Sequence, residues 1–291
     1  MTSTRSEGAV VVNAYWRGGD EGARAISRAL SNLGLDAPLV TSSELFMRVE
    51  NGAKGNAPLS FAVYLDKDDA VARLLEEKGV RLFNSAEAIR LADDKMLTHI
   101  ALLNAGVPQP KTIPSPLFFA GEDDAVFLEK VEKELGYPIV VKNCYGAFGK
   151  QVFLARDKEE LAALRKNLLR EKHLYQEFID CGATDLRVIV IGGKAVAAMR
   201  RRAVTPGEFR ANAELGGTGE KIELTGEITS IAEKAANALG LCYAGVDLLE
   251  RKGEYLLTEV NSNAHFKLIQ TVTGVDVARL YAEYIARAIK E

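Results

Sequence analysis

The stretch YAGVDLLERKGEYLLTEVN, residues 243–261, decides how this chain folds. Its two halves are apolar and Arg251-Lys252-Gly253 between them is turn chemistry, so a hairpin is expected from Tyr243–Glu250 to Tyr255–Asn261. A three-residue loop at 251–253 pairs residue 250 with 254, sets Asp247 opposite Leu257 and gives Gly253 the left-handed position. Strand side chains two apart leave the same face, so Asp247, Glu259 and Asn261 then converge. Three oxygen donors on one face suit Mg²⁺ shared with nucleotide phosphates. A four-residue loop would send Asp247 to the other face. A solvated acidic hairpin accounts for the two acids, but less well for the polar run Asn261-Ser262-Asn263 that ends so apolar a strand.

Cationic groups lie upstream. Lys142 ends the apolar strand Pro138–Lys142 and precedes the loop Asn143–Lys150, in which Gly146 and Gly149 let the backbone approach a phosphate chain. Only two residues separate these glycines, Gln151 replaces Ser/Thr and a strand follows, so this is not a Walker A loop; by itself it is an ordinary hairpin loop. Lys95 opens a helix, where free amides also favour anions, although such lysines are commonly just solvated. Arg200-Arg201-Arg202 end a strand of Ala and Val. Neighbours alternate faces, so at least one arginine turns inward and needs a carboxylate or a ligand phosphate; a solvated edge is the even alternative. Arg210 and Asn212, two apart before Gly216-Gly217, form a second pair of donors. Cys144 has no base beside it, and His99, His173 and His265 have no metal spacing.

Working back to the first residues, strands at Ala9–Asn13, Ser60–Leu65 and Val80–Phe83 alternate with helices after Asp20 and over Ala70–Lys78, which implies a parallel α/β sheet. The connection holding Asn13, Trp16, Arg17 and Gly18-Gly19 carries no motif and is taken as a plain strand-to-helix link. Ser85 caps a helix to Ala92, and Asp93 or Asp94 caps another from Lys95 to about Asn104. Prolines 108, 110, 114 and 116 make a stiff connection. A small α+β module follows, with helices over Asp123–Leu135 and from Asp157 to about Leu169. Strands at His173–Ile179, Asp185–Ile191 and Lys194–Arg200, with a tight turn at Gly192-Gly193, lead to a helix over Glu227–Leu239 and a last one from Asp276. Domains are therefore expected at 1–93, 94–177 and 178–291.

With 291 residues, 47% of them apolar, the chain exceeds one ordinary core and is not disordered. Lys and Arg number 37 against 40 Asp and Glu, a formal charge of −3, and with a pI near 5.8 there is no general attraction to nucleic acid. No apolar run approaches a membrane span, and three scattered cysteines give no disulfide framework, so a cytoplasmic protein is expected. Oligomeric state is open, and a homo-oligomer is compatible with everything read here.

Taken in order, Ala92-Asp-Asp-Lys95, Pro138-Ile-Val-Val-Lys142, Tyr145-Gly-Ala-Phe-Gly-Lys150, Gln176-Glu-Phe-Ile179, Asp185-Leu-Arg187, Phe209-Arg-Ala-Asn212, Ala244-Gly-Val-Asp247 and Glu259-Val-Asn261 resemble the ATP-grasp enzymes, in particular the RimK-like glutamate ligases. The resemblance covers about Val80 to the C-terminus. It implies an α/β N-terminal domain, a small lid and a C-terminal catalytic domain with an antiparallel sheet, ATP lying between the last two. By matching positions it implies that Lys95, Lys142, Gly146, Gly149 and Lys150 surround the phosphates. Glu177, Phe178 and Ile179 would lie at the adenine hinge, and Asp185 would contact the nucleotide. Arg210 and Asn212 would stand near the reacting phosphates, Arg201 would stabilise an oxyanion, and Asp247, Glu259 and Asn261 would hold two Mg²⁺ ions, or Mn²⁺. The implied reaction forms an acyl phosphate from ATP and a carboxylate, then an amide with an amine; substrates would be small molecules or peptides, without a nucleic-acid or membrane partner. After Asn261, members of this branch commonly read Asn-Ser-Ser-Pro-Gly, whereas this chain has Asn261-Ser-Asn-Ala-His-Phe-Lys267. That Phe-Lys pair is similar to ligases that load amino groups onto carrier proteins, and it nominates His265 and Lys267 for an acceptor pocket favouring an anionic substrate. Loading of a carrier protein or peptide, and a non-catalytic ATP-binding protein, are the alternatives.

Overall fold

The computed structural model describes residues 8–16, 21–45, 47–49, 59–118, 125–146, 149–204 and 218–291. The first unit is a parallel sheet of β1 (Gly8–Val12), β2 (Leu39–Thr41), β3 (Phe61–Leu65) and β4 (Arg81–Phe83) in the order β2-β1-β3-β4. Its helices are α1 (Glu21–Asn32), α2 (Asp69–Glu77) and α3 (Ala86–Asp93). Ala9, Val10, Val11 and Val12 form an unbroken apolar run because both faces are covered: Val10 and Val12 pack toward α1, Ala9 and Val11 toward α2 and α3. Asp68 and Ser85 cap α2 and α3. Of the two aspartates offered by the sequence, Asp94 is the one that caps α4 (Lys95–Ala101), accepting from the amides of Met96 and Leu97.

The unit expected as the lid is an antiparallel sheet, β5 (Thr112–Pro114), β6 (Ile139–Asn143), β7 (Val152–Ala155) and β8 (His173–Glu177), ordered β5-β8-β6-β7. It is backed by α5 (Ala125–Leu135) and α6 (Lys158–Leu168) through Val131, Ile139, Val141, Leu161 and Tyr175. The proline-rich connection conceals β5, which sits at the sheet edge where a missing amide does no harm.

The C-terminal sheet orders β9 (Thr184–Ile191), β10 (Lys194–Arg202), β11 (Thr218–Lys221), β12 (Tyr243–Arg251) and β13 (Glu254–Asn261) as β11-β10-β9-β12-β13, all antiparallel. Helix α7 (Gly226–Ala238) covers the face bearing Val188, Val190 and Ala198, while α8 (Lys267–Thr273) and α9 (Val277–Lys290) cover the face bearing Ile189, Ile191 and Met199. The second face shares its core with the N-terminal sheet, so these two units are one packed body. Asn84, 1% exposed, ties them: its Nδ2 donates to the carbonyls of Tyr243 and Ser262, and its Oδ1 accepts from the amides of Cys242 and Tyr243. No helix among the described residues is long and apolar enough to cross a membrane.

The hairpin forms, but with a different turn. Arg251 pairs with Glu254, so the loop is the two residues Lys252-Gly253, with φ of 51° and 89°, and not three. That register alone would set Asp247 beside Thr258. A bulge between the pairs Leu248–Leu257 and Asp247–Glu259 absorbs Thr258 as an extra residue. Asp247 therefore lies opposite Glu259, rather than Leu257, and convergence is recovered by a second irregularity.

A buried network joins α4 to the lid. Gln109 donates from Nε2 to the His99 carbonyl at 3.3 Å, which turns its Oε1 onto His99 Nδ1 at 2.5 Å. Nδ1 thus carries the proton and Nε2 accepts from Gln176 Nε2 at 3.2 Å. Burial pushes the His99 imidazole down from 6.5 to about 4. Between those values the unfolded chain binds the extra proton, so stability falls as pH drops from 6.5 toward 4. Urea unfolding of the wild type should lose about 3 kcal/mol over that window relative to His99→Phe.

Candidate active site

Between lid and C-terminal sheet lies a cleft of about 710 Å³. Alternation along β6 sends Val140 and Lys142 into it and Ile139 and Val141 into the lid core. One end is apolar, with Val140, Val152, Phe178, Ile179 and Leu249; the other is polar, with Lys142, Asp185, Asp247, Thr258 and Glu259. Glu177, expected at the hinge, ends β8, and Phe178 and Ile179 directly follow it at the apolar end. The Glu177 carboxylate accepts from the Lys111 amide at 3.0 Å, which leaves its side chain occupied at the rim.

Two buried lysines face the acidic strand pair. Lys95, 7% exposed, starts α4 with its Nζ 3.4 Å from Glu259 Oε1. Lys142, also 7% exposed, donates to Thr258 Oγ1 at 2.8 Å. Burial pushes its ammonium down to about 8, against the pull of Glu259. Burial raises the Glu259 carboxyl in turn, but Lys95, Lys67 and Lys142 outweigh this and hold it below its ordinary value. Gly149 lines the cleft, Gly146 accepts from Lys67 Nζ at its carbonyl and Lys150 is exposed; Ala147 and Phe148 of this loop lie outside the described residues, as do Arg210 and Asn212.

Asp247 does not stand alone. Arg187 grips it with Nε and with Nη2 at 2.8 Å, and Arg201 Nη2 reaches its Oδ2 at 3.0 Å. Arg201, 3% exposed, also binds Asp185 through Nε at 2.6 Å and Nη2 at 2.7 Å. The inward arginine expected from the 200–202 run is thus Arg201, and its anionic partners are carboxylates. Burial raises the Asp185 carboxyl, whereas for Asp247 burial is outweighed by the two guanidinium groups, which hold it low. Burial lifts the Cys144 thiol to about 11, so it is no nucleophile.

Asp247, Glu259 and Asn261 fit a hard divalent cation. Each can offer an oxygen, Asp247 and Glu259 face each other in register, and Asn261 lies two residues on along the same face; its buried Nδ2 has no partner and, as an N–H donor, calls for an acceptor such as a phosphate oxygen rather than for the cation. Among the described residues no cluster of three His, Cys, Asp or Glu is found. His265 and Lys267 are both exposed, and Lys267 Nζ is 2.5 Å from Glu21 Oε2.

The sequence analysis assigned no role to three participants. Arg187 lies two residues from Asp185 on one strand, so alternation alone would have turned it onto the same face. Thr258 enters only through the bulge. Lys67, from the N-terminal unit, reaches Asp93 at 2.6 Å and the Gly146 carbonyl at 3.4 Å, a contact no spacing reveals.

Comparison with known proteins identifies the family and the fold. The RimK-like ATP-grasp domain matches residues 92–285. A beta-citrylglutamate synthase B from Danio rerio is 35% identical over 226 residues, 77% of this chain and 55% of that protein. A probable alpha-L-glutamate ligase from Thioalkalivibrio sulfidiphilus is 39% identical over 221 residues, 74% of this chain and 70% of that one. The chain thus spans little more than half the length of the first of these relatives. The crystal structure of a RimK domain ATP-grasp protein from Sphaerobacter thermophilus superposes with a TM-score of 0.74 at 21% identity, over 96% of this chain and 99% of that one. The fold agrees across nearly the whole length, and the family match begins at Ala92, near the end of α3 and three residues before Lys95. This chain belongs to the RimK-like ATP-grasp family.

Proposed function

We propose that this protein is an ATP- and Mg²⁺-dependent carboxylate–amine ligase that works through an acyl phosphate and releases ADP and phosphate. The observation that carries the reading is the cleft itself: buried Lys95 and Lys142 face Asp247 and Glu259, next to an apolar slot at the hinge. Residues 94–177 act as linker and lid, 178–291 as catalytic half, and 1–93 as the unit that adds substrate contacts.

Phosphoryl transfer is mainly positioning and charge neutralisation, and the chain's residues are suited to both. Lys142 and Lys95 hold phosphate oxygens. Gly146–Lys150 cover them and keep water away. Glu177, Phe178 and Ile179 offer backbone groups to adenine, and Asp185 borders the nucleotide. Asp247, Glu259 and Asn261 would hold Mg²⁺, one ion or two, with Mn²⁺ as a substitute, and the bound ion would supply charge neutralisation for phosphoryl transfer. Arg201, whose Nε and Nη2 are committed to Asp185 and Asp247, acts toward an oxyanion through Nη1 alone. Arg210 and Asn212 serve the reacting phosphate. His265 and Lys267 border the acceptor side. The relatives' names share glutamate, so L-glutamate is the first amine to try, with citrate and N-acetylaspartate as carboxylates. ADP release should require both a carboxylate and an amine, with mass spectrometry finding the amide. ADP release indifferent to both additions would mean ATP hydrolysis without ligation, and no ADP release under any addition would leave only nucleotide binding.

A further inference from the structure

The order β2-β1-β3-β4 makes the gap between β1 and β3 the point where the chain changes direction. Open α/β sheets take ligands in the crevice beyond the carboxyl ends of the strands at such a point. Asn13 and Asp66 are the first residues past those two ends, one step beyond the pair Val12–Leu65. Asp66 is 3% exposed. Its Oδ1 accepts from Asn13 Nδ2 at 2.9 Å and from the Lys67 amide at 2.7 Å. Its Oδ2 is buried and has no partner at all. A buried carboxylate oxygen without a donor is costly, and nothing in the fold answers it.

Two contacts tie this crevice to the catalytic cleft. Asn263 Nδ2 donates to the Leu65 carbonyl at 3.4 Å, so the segment leaving β13 crosses the switch point two residues after Asn261. Lys67, next to Asp66, spans to the glycine loop at the Gly146 carbonyl, and its charge is already matched by Asp93 at 2.6 Å.

We propose that Asp66 docks the ammonium of the amine co-substrate, an α-amino acid, with Asn13 holding the carboxylate in place; the ammonium releases one proton to solvent before its nitrogen attacks the acyl phosphate and phosphate leaves. This rests on the ligase reading and names where its second substrate enters. The open valence is acceptor-only, so it calls for a group rich in N–H donors. A lone carboxylate flanked by two asparagines is poor in ligands for a metal ion but well suited to an ammonium. The phosphate end, with Lys95 and Lys142, attracts anions and repels such a group, so an amine must approach from a side of opposite character. The switch point supplies it.

Hydroxylamine separates this inference from the ligase reading. Uncharged at neutral pH, it traps an acyl phosphate as a hydroxamate and needs no ammonium site. With ATP, Mg²⁺ and citrate or N-acetylaspartate, kcat and KM are measured for L-glutamate and for hydroxylamine in wild type and Asp66→Asn, which keeps an acceptor for Asn13. The expected result is a fall of about tenfold or more in the ratio of kcat/KM for L-glutamate over hydroxylamine, carried by the KM for L-glutamate. Amide and hydroxamate falling together would mean a structural role, and an unmoved ratio no role; either overturns the proposal. Wild-type hydroxamate without amide from L-glutamate, L-aspartate or L-lysine overturns the α-ammonium assignment alone. No wild-type hydroxamate from either carboxylate defeats the ligase reading, and this one with it.

Discussion

Arg201→Met is expected to destabilise the protein by about 3–5 kcal/mol at pH 7, the cost of leaving buried carboxylates without their cation. The arginine is 3% exposed and is the sole ion-pair partner of Asp185 among the described residues. Asp247 keeps the Arg187 ion pair after the substitution; Asp185 keeps no ion pair and only the more distant charge of Arg187, and its carboxyl is already raised by burial. Protonation is therefore the escape. The deficit of the variant should shrink on acidification, because a neutral Asp185 needs no guanidinium. Arg201→Met with Asp185→Asn should recover much of the loss, since the two sites are in contact and couple strongly. Urea unfolding of the four proteins forms the cycle. A single variant within about 0.5 kcal/mol of wild type, the usual range for surface changes, would mean the ladder is solvated and contributes little.

The strand pattern of this chain was legible because alternation is a local property. Val188 and Val190 pack under α7 while Ile189 and Ile191 pack under α9, and such faces follow from sequence spacing alone. Caps were legible for the same reason: Ser85, Asp157 and Asp276 each accept from an amide three residues on. What failed locally was loop length. Lys252 at φ 51° is a non-glycine in the left-handed region, so the glycine at 253 suggested a three-residue loop where a two-residue one forms. The bulge at Thr258 has no signature in the sequence, yet it alone returns Asp247 to Glu259.

Short elements were missed for want of signals. Helix α8 begins at Phe266 without a side-chain cap, and β11 is a four-residue polar edge. The acidic and cationic members of the site could be nominated one by one, but their pairing is tertiary. That an inward arginine needs an anion is general physics; that Asp185 and Asp247 share it depends on β9 lying between β10 and β12. Lys67 and Asp66 were invisible for the same reason, since their meaning comes from the β1–β3 gap.

Lys142→Met should do the reverse of Arg201→Met, raising stability while removing activity. Lys142 is buried and holds a single hydrogen bond, to Thr258 Oγ1 at 2.8 Å, so two of its three N–H groups remain for the cleft. A ligand phosphate would use them; the empty fold does not. Its pKa of about 8 instead of 10.5 means that the folded state pays to keep the proton. An apolar side chain of similar shape should stabilise the protein by about 1–3 kcal/mol at pH 7. The sign can be checked by pH: the unfolded chain keeps this proton up to 10.5, so wild-type stability gains on the variant between 8 and 10.5 and the advantage closes there. Activity should move the other way, with kcat/KM for ATP falling about 10²–10³-fold as one preplaced charge on the phosphates is lost. Arginine should not rescue it, because a planar fork cannot occupy the volume of a compact ammonium between β6 and the bulge. A variant both less stable and fully active would place Lys142 in the architecture and outside the chemistry. Stability gained together with activity lost is what a charge held ready for a ligand produces.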